Sequence, residues 1–217
     1  MATVLVTGVG GAGGIGAVES LTQRTNHEVV GVDMDPTAAG CFLADTGRGV
    51  PAASDDGWAS AVADVVAEFD VDVVVPTVDE ELAELPSLYE ALPNDVPVVV
   101  PRLGVVEASL DKYATYRELD EAGHPVPATW LASDVDDEVA LPFPLLVKPR
   151  QGRGSRGIQR VDDREELDAA VDAADVAPDA LLVQEFIDGV EYTTSIVATR
   201  DDRLLGVVPK EAMEKRG

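Results

Sequence analysis

Basic residues are scarce in this sequence: 16 Lys and Arg stand against 41 Asp and Glu, a formal net charge of −25 at pH 7. A field of that sign repels phosphate at long range, so neither nucleic acid nor an anionic membrane is an expected partner. Lysine is scarcer still, limited to Lys112, Lys148, Lys210 and Lys215. The acids are dispersed (Asp55-Asp56, Asp136-Asp137-Glu138, Asp162-Asp163, Asp201-Asp202) rather than gathered in a tail. Such a surface fits a halophilic, acidic protein whose self-repulsion is relieved by screening. The few lysines are therefore the ones to examine for a task. Cysteine is nearly absent too. Cys41 has no partner in the chain, which excludes an intramolecular disulfide and fits a reducing, cytoplasmic location. A buried structural thiol is expected there. His27 and His124 make no metal-binding spacing with Cys41 or with each other. No apolar run approaches the ~20 residues that span a bilayer. The N-terminus lacks the basic region of a signal peptide, and its apolar residues soon give way to glycines.

What is present is a chain of 217 residues, 46% hydrophobic, with the apolar residues in short periodic runs. That is enough for a real core in one or two domains. Ala2 to Thr7 is apolar and β-branched, and a glycine burst follows at Gly8, Gly10, Gly11, Gly13, Gly14 and Gly16. A short helical composition comes next, then a strand from Glu28 to Val32 ending in Asp33. Strand, glycine turn, helix, strand and acid describe a βαβ unit with parallel strands. Trp58, Ala61, Val62, Val65, Val66 and Phe69 share one helical face, and Val71 to Pro76 reads as a buried strand. Leu82, Leu85, Leu88, Tyr89 and Leu92 predict another helix, and Val96 to Pro101 another strand. This alternation predicts an open, doubly wound α/β domain up to about residue 105.

The pattern then changes. Asp111 to Ala122 reads as a helix stopped by Gly123, with Pro125 beyond it. Pro127 to Ala132 and Pro144 to Lys148 read as extended segments, and the loop Gly152 to Gly157 leads into a strand at Ile158 to Val161. Asp163 and Glu166 are spaced as a capping box ahead of a helix carrying Leu167, Ala170, Val171 and Ala174. Three further strands are expected at Ala180 to Glu185, Tyr192 to Ala198 and Arg203 to Val208, and Glu211 to Gly217 has the composition of a helix start. These elements make a second, α+β lobe.

Two glycine loops compete for a nucleotide. In the first, Gly8, Gly11 and Gly14 fit G-x-x-G-x-x-G, and Asp33 sits where a ribose-binding acid would lie. A dinucleotide site is one reading, and glycines that only permit tight strand-to-helix packing are the other. A Tyr-x-x-x-Lys pair is missing, since Arg117 stands at that spacing from Tyr113. The second loop follows Lys148, which ends an apolar strand. Backbone amides and guanidinium groups of Gly152, Arg153, Gly154, Ser155, Arg156 and Gly157 can gather around phosphate oxygens. Lys148 is placed to neutralise an α- or β-phosphate.

Five motifs in order carry a resemblance: Leu110-Asp111-Lys112, the run from Gly123 to Trp130, Pro144 to Pro149, the loop Gly152 to Gly157, and Val183 to Glu191. Together they resemble the ATP-grasp superfamily, in particular its carbamoyl-phosphate-synthase-like carboxylate ligases. The first hundred residues, including Val75 to Glu80, resemble that family's pre-ATP-grasp domain. The resemblance implies a Rossmann-like domain over residues 1–107 and the N-terminal, ATP-binding part of an ATP-grasp domain over 108–217, incomplete at its C-terminus. It implies that Lys112 and Lys148 contact ATP phosphates and that Gly152 to Gly157 covers the β- and γ-phosphates. Backbone groups of Glu185 and Ile187, flanking Phe186, would meet the adenine edge, and Glu191 would hold the ribose.

The implied activity is ATP-dependent ligation of a small-molecule carboxylate to an amine or related acceptor through an acyl phosphate. The family's Mg²⁺ ligands belong to strands that would follow Gly217, so this stretch alone is expected to be inactive, with no metal ligands of its own. An uncovered lobe is expected to need either a C-terminal half or a homodimer partner. A regulatory module that binds nucleotide without turnover also remains open.

Overall fold

Five consecutive residues without charge, four of them β-branched, form β1 (Thr3–Thr7), and four of the five are buried. It is followed by α1 (Ala12–Arg24), β2 (Glu28–Asp33), α2 (Ala39–Leu43), β3 (Thr46–Gly49), α3 (Trp58–Glu68), β4 (Val73–Val75), α4 (Asp79–Ala83) and α5 (Leu85–Ala91). The four strands make one sheet in the order β3-β2-β1-β4, with every pair parallel. Val4, Val6 and Val29 of the sheet pack with Val9, Val18 of α1 and Cys41 of α2. Cys41 is a buried free thiol. The computed structural model describes residues 1–93, 96–136, 138–152, 157–199, 201 and 203–212. These fall in two compact units, Met1–Pro101 and Arg102–Gly217. No helix among the described residues is long and apolar enough to cross a membrane.

Close contacts require three glycines of the burst, Gly8, Gly10 and Gly14. Gly8 has φ +63°, and a Cβ on it would stand 2.0 Å from Val78 Cγ2. A Cβ on Gly14 would lie 2.3 Å from the Gly8 carbonyl oxygen, so α1 lies directly on the turn that leaves β1. Asp33 closes the same turn: its carboxylate accepts the Gly10 N–H at 2.7 Å and the Asp35 N–H at 3.0 Å.

Three parts of this unit depart from the periodicity. Val96 to Pro101 is not a full strand; Val98 makes an isolated parallel bridge to Val74. Pro97 and Pro101 lack the N–H that a ladder needs. The stripe from Leu82 to Leu92 is two helices, broken at Glu84 with Pro86 in the first turn of α5, and Tyr89 faces outward. The strand β3, of sequence TGRG, has no apolar pattern to reveal it. It pairs through its backbone, and Gly47 lets it approach Cys41, whose carbonyl oxygen would be 2.3 Å from an added Cβ.

The second unit contains α6 (Leu103–Leu110), α7 (Lys112–Glu121), β5 (Thr129–Leu131), β6 (Leu145–Pro149), β7 (Gln159–Val161), α8 (Arg164–Asp172), β8 (Leu181–Glu185), β9 (Tyr192–Ala198) and β10 (Leu204–Glu211). Four strands form an antiparallel sheet in the order β5-β8-β6-β7. Leu145, Val147, Leu181, Val183 and Val161 on one face enclose Leu167 and Ala170 of α8. The capping box at the start of α8 forms with a shift: Asp163 accepts the Glu166 N–H, but the Glu166 carboxylate returns to the Asp162 N–H. The predicted stop of α7 forms at Gly123, φ +76°. The helix α6 was not expected from the sequence. Strands β9 and β10 make a separate antiparallel hairpin, in which every residue of β9 is exposed. Glu211 closes β10 rather than opening a helix; Met213 to Gly217 lie outside the described residues.

The two glycines Gly14 and Gly16 give opposite expectations for alanine. Gly16 has nothing within 4 Å of its Cβ position, so Gly16→Ala gains helix propensity of about 1 kcal/mol. Gly14→Ala forces α1 off its turn and lowers the melting temperature. Urea and thermal unfolding by circular dichroism compare the two, and a Gly14→Ala protein as stable as wild type would refute the packing described.

Candidate functional site

Alternation along β6 places Leu145 and Val147 in the core under α8, so Lys148, opposite Leu182 on β8, belongs to the other face of the sheet. Its ammonium donates to Gln184 Oε1 at 2.7 Å. Gln184 Nε2 donates to Thr129 Oγ1 at 2.7 Å, and the Thr129 hydroxyl donates to the Pro127 carbonyl at 2.9 Å. Each group in this chain has one consistent direction, which fixes the amide with its oxygen toward the lysine. Thr129 is buried, so the far end of the chain is held away from water.

Lys112 is the first residue of α7. Its backbone N–H donates to the Arg150 carbonyl at 3.1 Å, and its ammonium donates to the Gly152 carbonyl at 2.8 Å. Burial pushes the Lys148 ammonium below the usual lysine range, and the positive charge of Lys112 pushes it the same way. Burial also pushes Lys112 down, against the opposing pull of Asp111. Neither ammonium is ion-paired to a carboxylate among the described residues. Lys148 rests on an amide and Lys112 on a carbonyl, in a chain with 41 acidic residues.

Asp111 caps α7, accepting the Tyr113 and Ala114 N–H groups on Oδ1. The same carboxylate takes a fork from Arg150, with Nε to the two oxygens at 2.9 and 2.8 Å and Nη2 to Oδ2 at 2.5 Å. The Asp111 carboxyl is held below its usual range, first by the Arg150 hydrogen bonds and then, against burial, by the two backbone N–H groups. The guanidinium also lies 5.7 Å from the centre of the Tyr113 ring.

The structure thus brings Lys112, Lys148 and Gly152 together. Gly152 and Gly157 both have positive φ, +107° and +68°, and a Cβ on Gly157 would stand 3.0 Å from Pro149. Both described ends of the loop therefore lie at the end of β6. Arg153, Gly154, Ser155 and Arg156 lie outside the described residues. The Glu185 N–H is bonded to the Ala128 carbonyl at 2.8 Å, and its carboxylate accepts the Ala128 N–H at 3.2 Å. Phe186 donates its N–H to the Pro144 carbonyl at 3.2 Å, and the Arg160 guanidinium lies 4.7 Å over its ring. Ile187 and Glu191 are exposed; the backbone carbonyl of Glu191 accepts the Ala212 N–H at 2.8 Å.

Sequence reasoning assigned no role to the side chains of Gln184, Thr129 and Arg150. Their bonds cross 36, 55 and 39 positions of the chain, and only strand register reveals them. The one available signal was Asp111 directly before a helix, an N-cap position. Among the described residues no group of three or more His, Cys, Asp or Glu could hold a metal ion. These residues do not fit a Mg²⁺ site.

Residues 109–217 match the family model described as an ATP-grasp domain, and residues 4–99 match one described as a PylC-like N-terminal domain. A carbamoyl-phosphate synthase from Methanobrevibacter smithii is 25% identical over 186 residues, covering 83% of this chain and 46% of the relative. A D-alanine--D-alanine ligase from Alcanivorax borkumensis is 35% identical over 88 residues, 41% of this chain and 28% of the relative. Among solved structures, N5-carboxyaminoimidazole synthetase from Staphylococcus aureus complexed with ADP superposes with a TM-score of 0.74 at 16% identity, over 99% of this chain and 55% of that one. The chain spans less than half the length of these two curated relatives.

The depressed Asp111 carboxyl sets a pH dependence. Its contribution to stability is complete above the ordinary aspartate value of 3.8 and is lost as pH falls through the lower folded value. Asp111→Asn keeps a good N-cap residue but loses the ion pair. The melting temperatures of the two proteins are therefore expected to differ at neutral pH and to converge in acid. A gap that does not change with pH would show that the charge contributes nothing.

Proposed function

The chain belongs to the ATP-grasp family through residues 109–217, and we propose on that footing that its second unit binds ATP with the triphosphate against Lys112 and Lys148. The whole protein would then be an ATP-dependent carboxylate ligase. One observation carries the reading: the ammonium groups of Lys112 and Lys148 both rest on neutral acceptors, the Gly152 carbonyl at 2.8 Å and the Gln184 amide at 2.7 Å, and the charge of Lys112 pushes the Lys148 ammonium downward. Bringing like charges together out of water is unfavourable. A polyanion bridging them removes the repulsion and replaces an amide and a carbonyl with charge-assisted hydrogen bonds.

In the ligation, a substrate carboxylate oxygen attacks the γ-phosphorus and the bond to the β–γ bridging oxygen breaks, giving an acyl phosphate and ADP. An amine then attacks the acyl carbon and releases phosphate. Lys112 and Lys148 serve the first step by offsetting the charge carried by the phosphoryl oxygens. The relatives' names include ligases acting on amino acids and a carbamoyl-phosphate synthase, which supports a carboxylate or bicarbonate-like acid as the attacking group. Mg²⁺ accompanies such chemistry in the family, and no step is assigned to it on these residues. The adenine edge would lie at Glu185 to Ile187 and the ribose near Glu191.

Calorimetric titration with ATP and, separately, with NAD(H) tests the reading. Lys148→Ala is expected to weaken ATP binding about tenfold or more, the size of a lost charge-assisted contact. Gln184→Glu is also expected to weaken it, because a carboxylate at 184 competes with phosphate for Lys148. Unchanged ATP affinity in both variants overturns the site. Binding of NAD(H) alone, weakened by Asp33→Ala, moves the function to the first glycine loop.

A further inference from the structure

We propose that Arg150 is a positioning residue for nucleotide binding, holding Lys112 beside Lys148 through its fork on Asp111; this rests on the nucleotide reading above. Lys112 has reason to leave. Its ammonium is repelled by Lys148, is partly desolvated, and ends a long flexible side chain for which solvent is the easier place. The Gly152 carbonyl receives the ammonium, the start of α7 sets where the side chain begins, and most described contacts of Arg150 are made to that start. The guanidinium grips the Asp111 carboxylate with two nitrogens, the carbonyl accepts the Lys112 N–H, and the cation lies over the Tyr113 ring. Away from that start, the Arg150 N–H donates to the Ala180 carbonyl at 2.9 Å and Asp179 favours the guanidinium charge, which ties the clamp to the segment leading into β8.

The arrangement suits arginine specifically. A planar fork fixes both the distance and the orientation of a carboxylate, whereas a lysine would supply a point charge with free rotation. The hydrogen bonds of Asp111 go to the fork and to the helix cap, so it acts on the Lys112 ammonium only through its charge and makes no ion pair with it. Arg150 stands two residues beyond Lys148 on the same run of chain. The clamp thereby sets one phosphate-binding lysine from the backbone that carries the other.

A double-mutant cycle on the full chain tests this, using ATP and adenosine as probes. Arg150→Gln and Lys112→Ala are each expected to weaken ATP binding roughly tenfold, and the double variant to be no weaker than either single one. Adenosine, which offers base and ribose without phosphate, should bind all of them as it binds wild type. Arg150→Lys is expected to resemble Arg150→Gln, since charge without the fork does not position. Asp111→Asn, which retains the cap, breaks the clamp from the other side and should behave likewise.

If Arg150→Gln weakens ATP further in the Lys112→Ala background, Arg150 touches the nucleotide itself and the proposal fails. If Lys112→Ala weakens ATP but Arg150→Gln and Asp111→Asn do not, the clamp has no positioning role. Loss of adenosine binding together with ATP binding in Asp111→Asn would reduce the clamp to a purely structural one. A wild-type chain that binds no ATP overturns the nucleotide reading first, and the clamp with it.

Discussion

The register between β6 and β8 decides the character of the second unit. With Val147 opposite Val183 and Lys148 opposite Leu182, one face of the sheet supplies the core beneath α8 and the other presents an ammonium. A slip of one residue exchanges the two faces. It would carry Lys148 into the packing of Leu167 and Ala170 and expose the valines. The cost of burying an unpaired ammonium makes that alternative prohibitive. Lys148 therefore serves as a register marker, and the apolar core and the charged face specify each other.

Around that constraint the site is built from directional bonds rather than from opposite charges. Thr129 orients Gln184, and Gln184 receives Lys148. Among the described residues Asp111 acts on the charge of Lys112, and its own ion pair is with Arg150. Even in so acidic a chain, neither ammonium is paired with a carboxylate among the described residues. The first unit uses its polar groups differently. Asp33 there is turned inward to hold its own glycine turn, and the buried Glu81 accepts from the Thr7 hydroxyl at the end of β1.

Most strands and helices could be read from the apolar pattern because burial follows it. The continuously buried runs of β1 and β2 and the helical stripe of α3 are examples. The failures have local causes. Prolines at 97 and 101 deny hydrogen-bond donors to a run of valines that otherwise reads as a strand, and β3 is held by backbone pairing and small size instead of apolar side chains. Lys148 could be singled out as a candidate because it ends an apolar run next to a glycine loop. Gln184, Thr129 and Arg150 could not, since each becomes meaningful only across a strand pair or a helix start brought together by folding. A motif identifies which residues meet a ligand more readily than which residues hold them in place.

The hairpin of β9 and β10 shows Ile196, Val197, Leu204, Leu205, Val207 and Val208 each about half exposed. Among the described residues no further strand pairs with its edges, which an extended chain can join. At low ionic strength the charge of −25 keeps copies of the molecule apart and acts as a colloidal barrier over this adhesive surface. As salt shrinks the screening length, to about 3 Å near 1 M, the barrier thins while the apolar attraction remains. For this polypeptide, the ionic strength that relieves strain among its own acids is thus also the one at which neighbouring copies can adhere, so folding stability and dispersal in solution respond to salt with opposite sign.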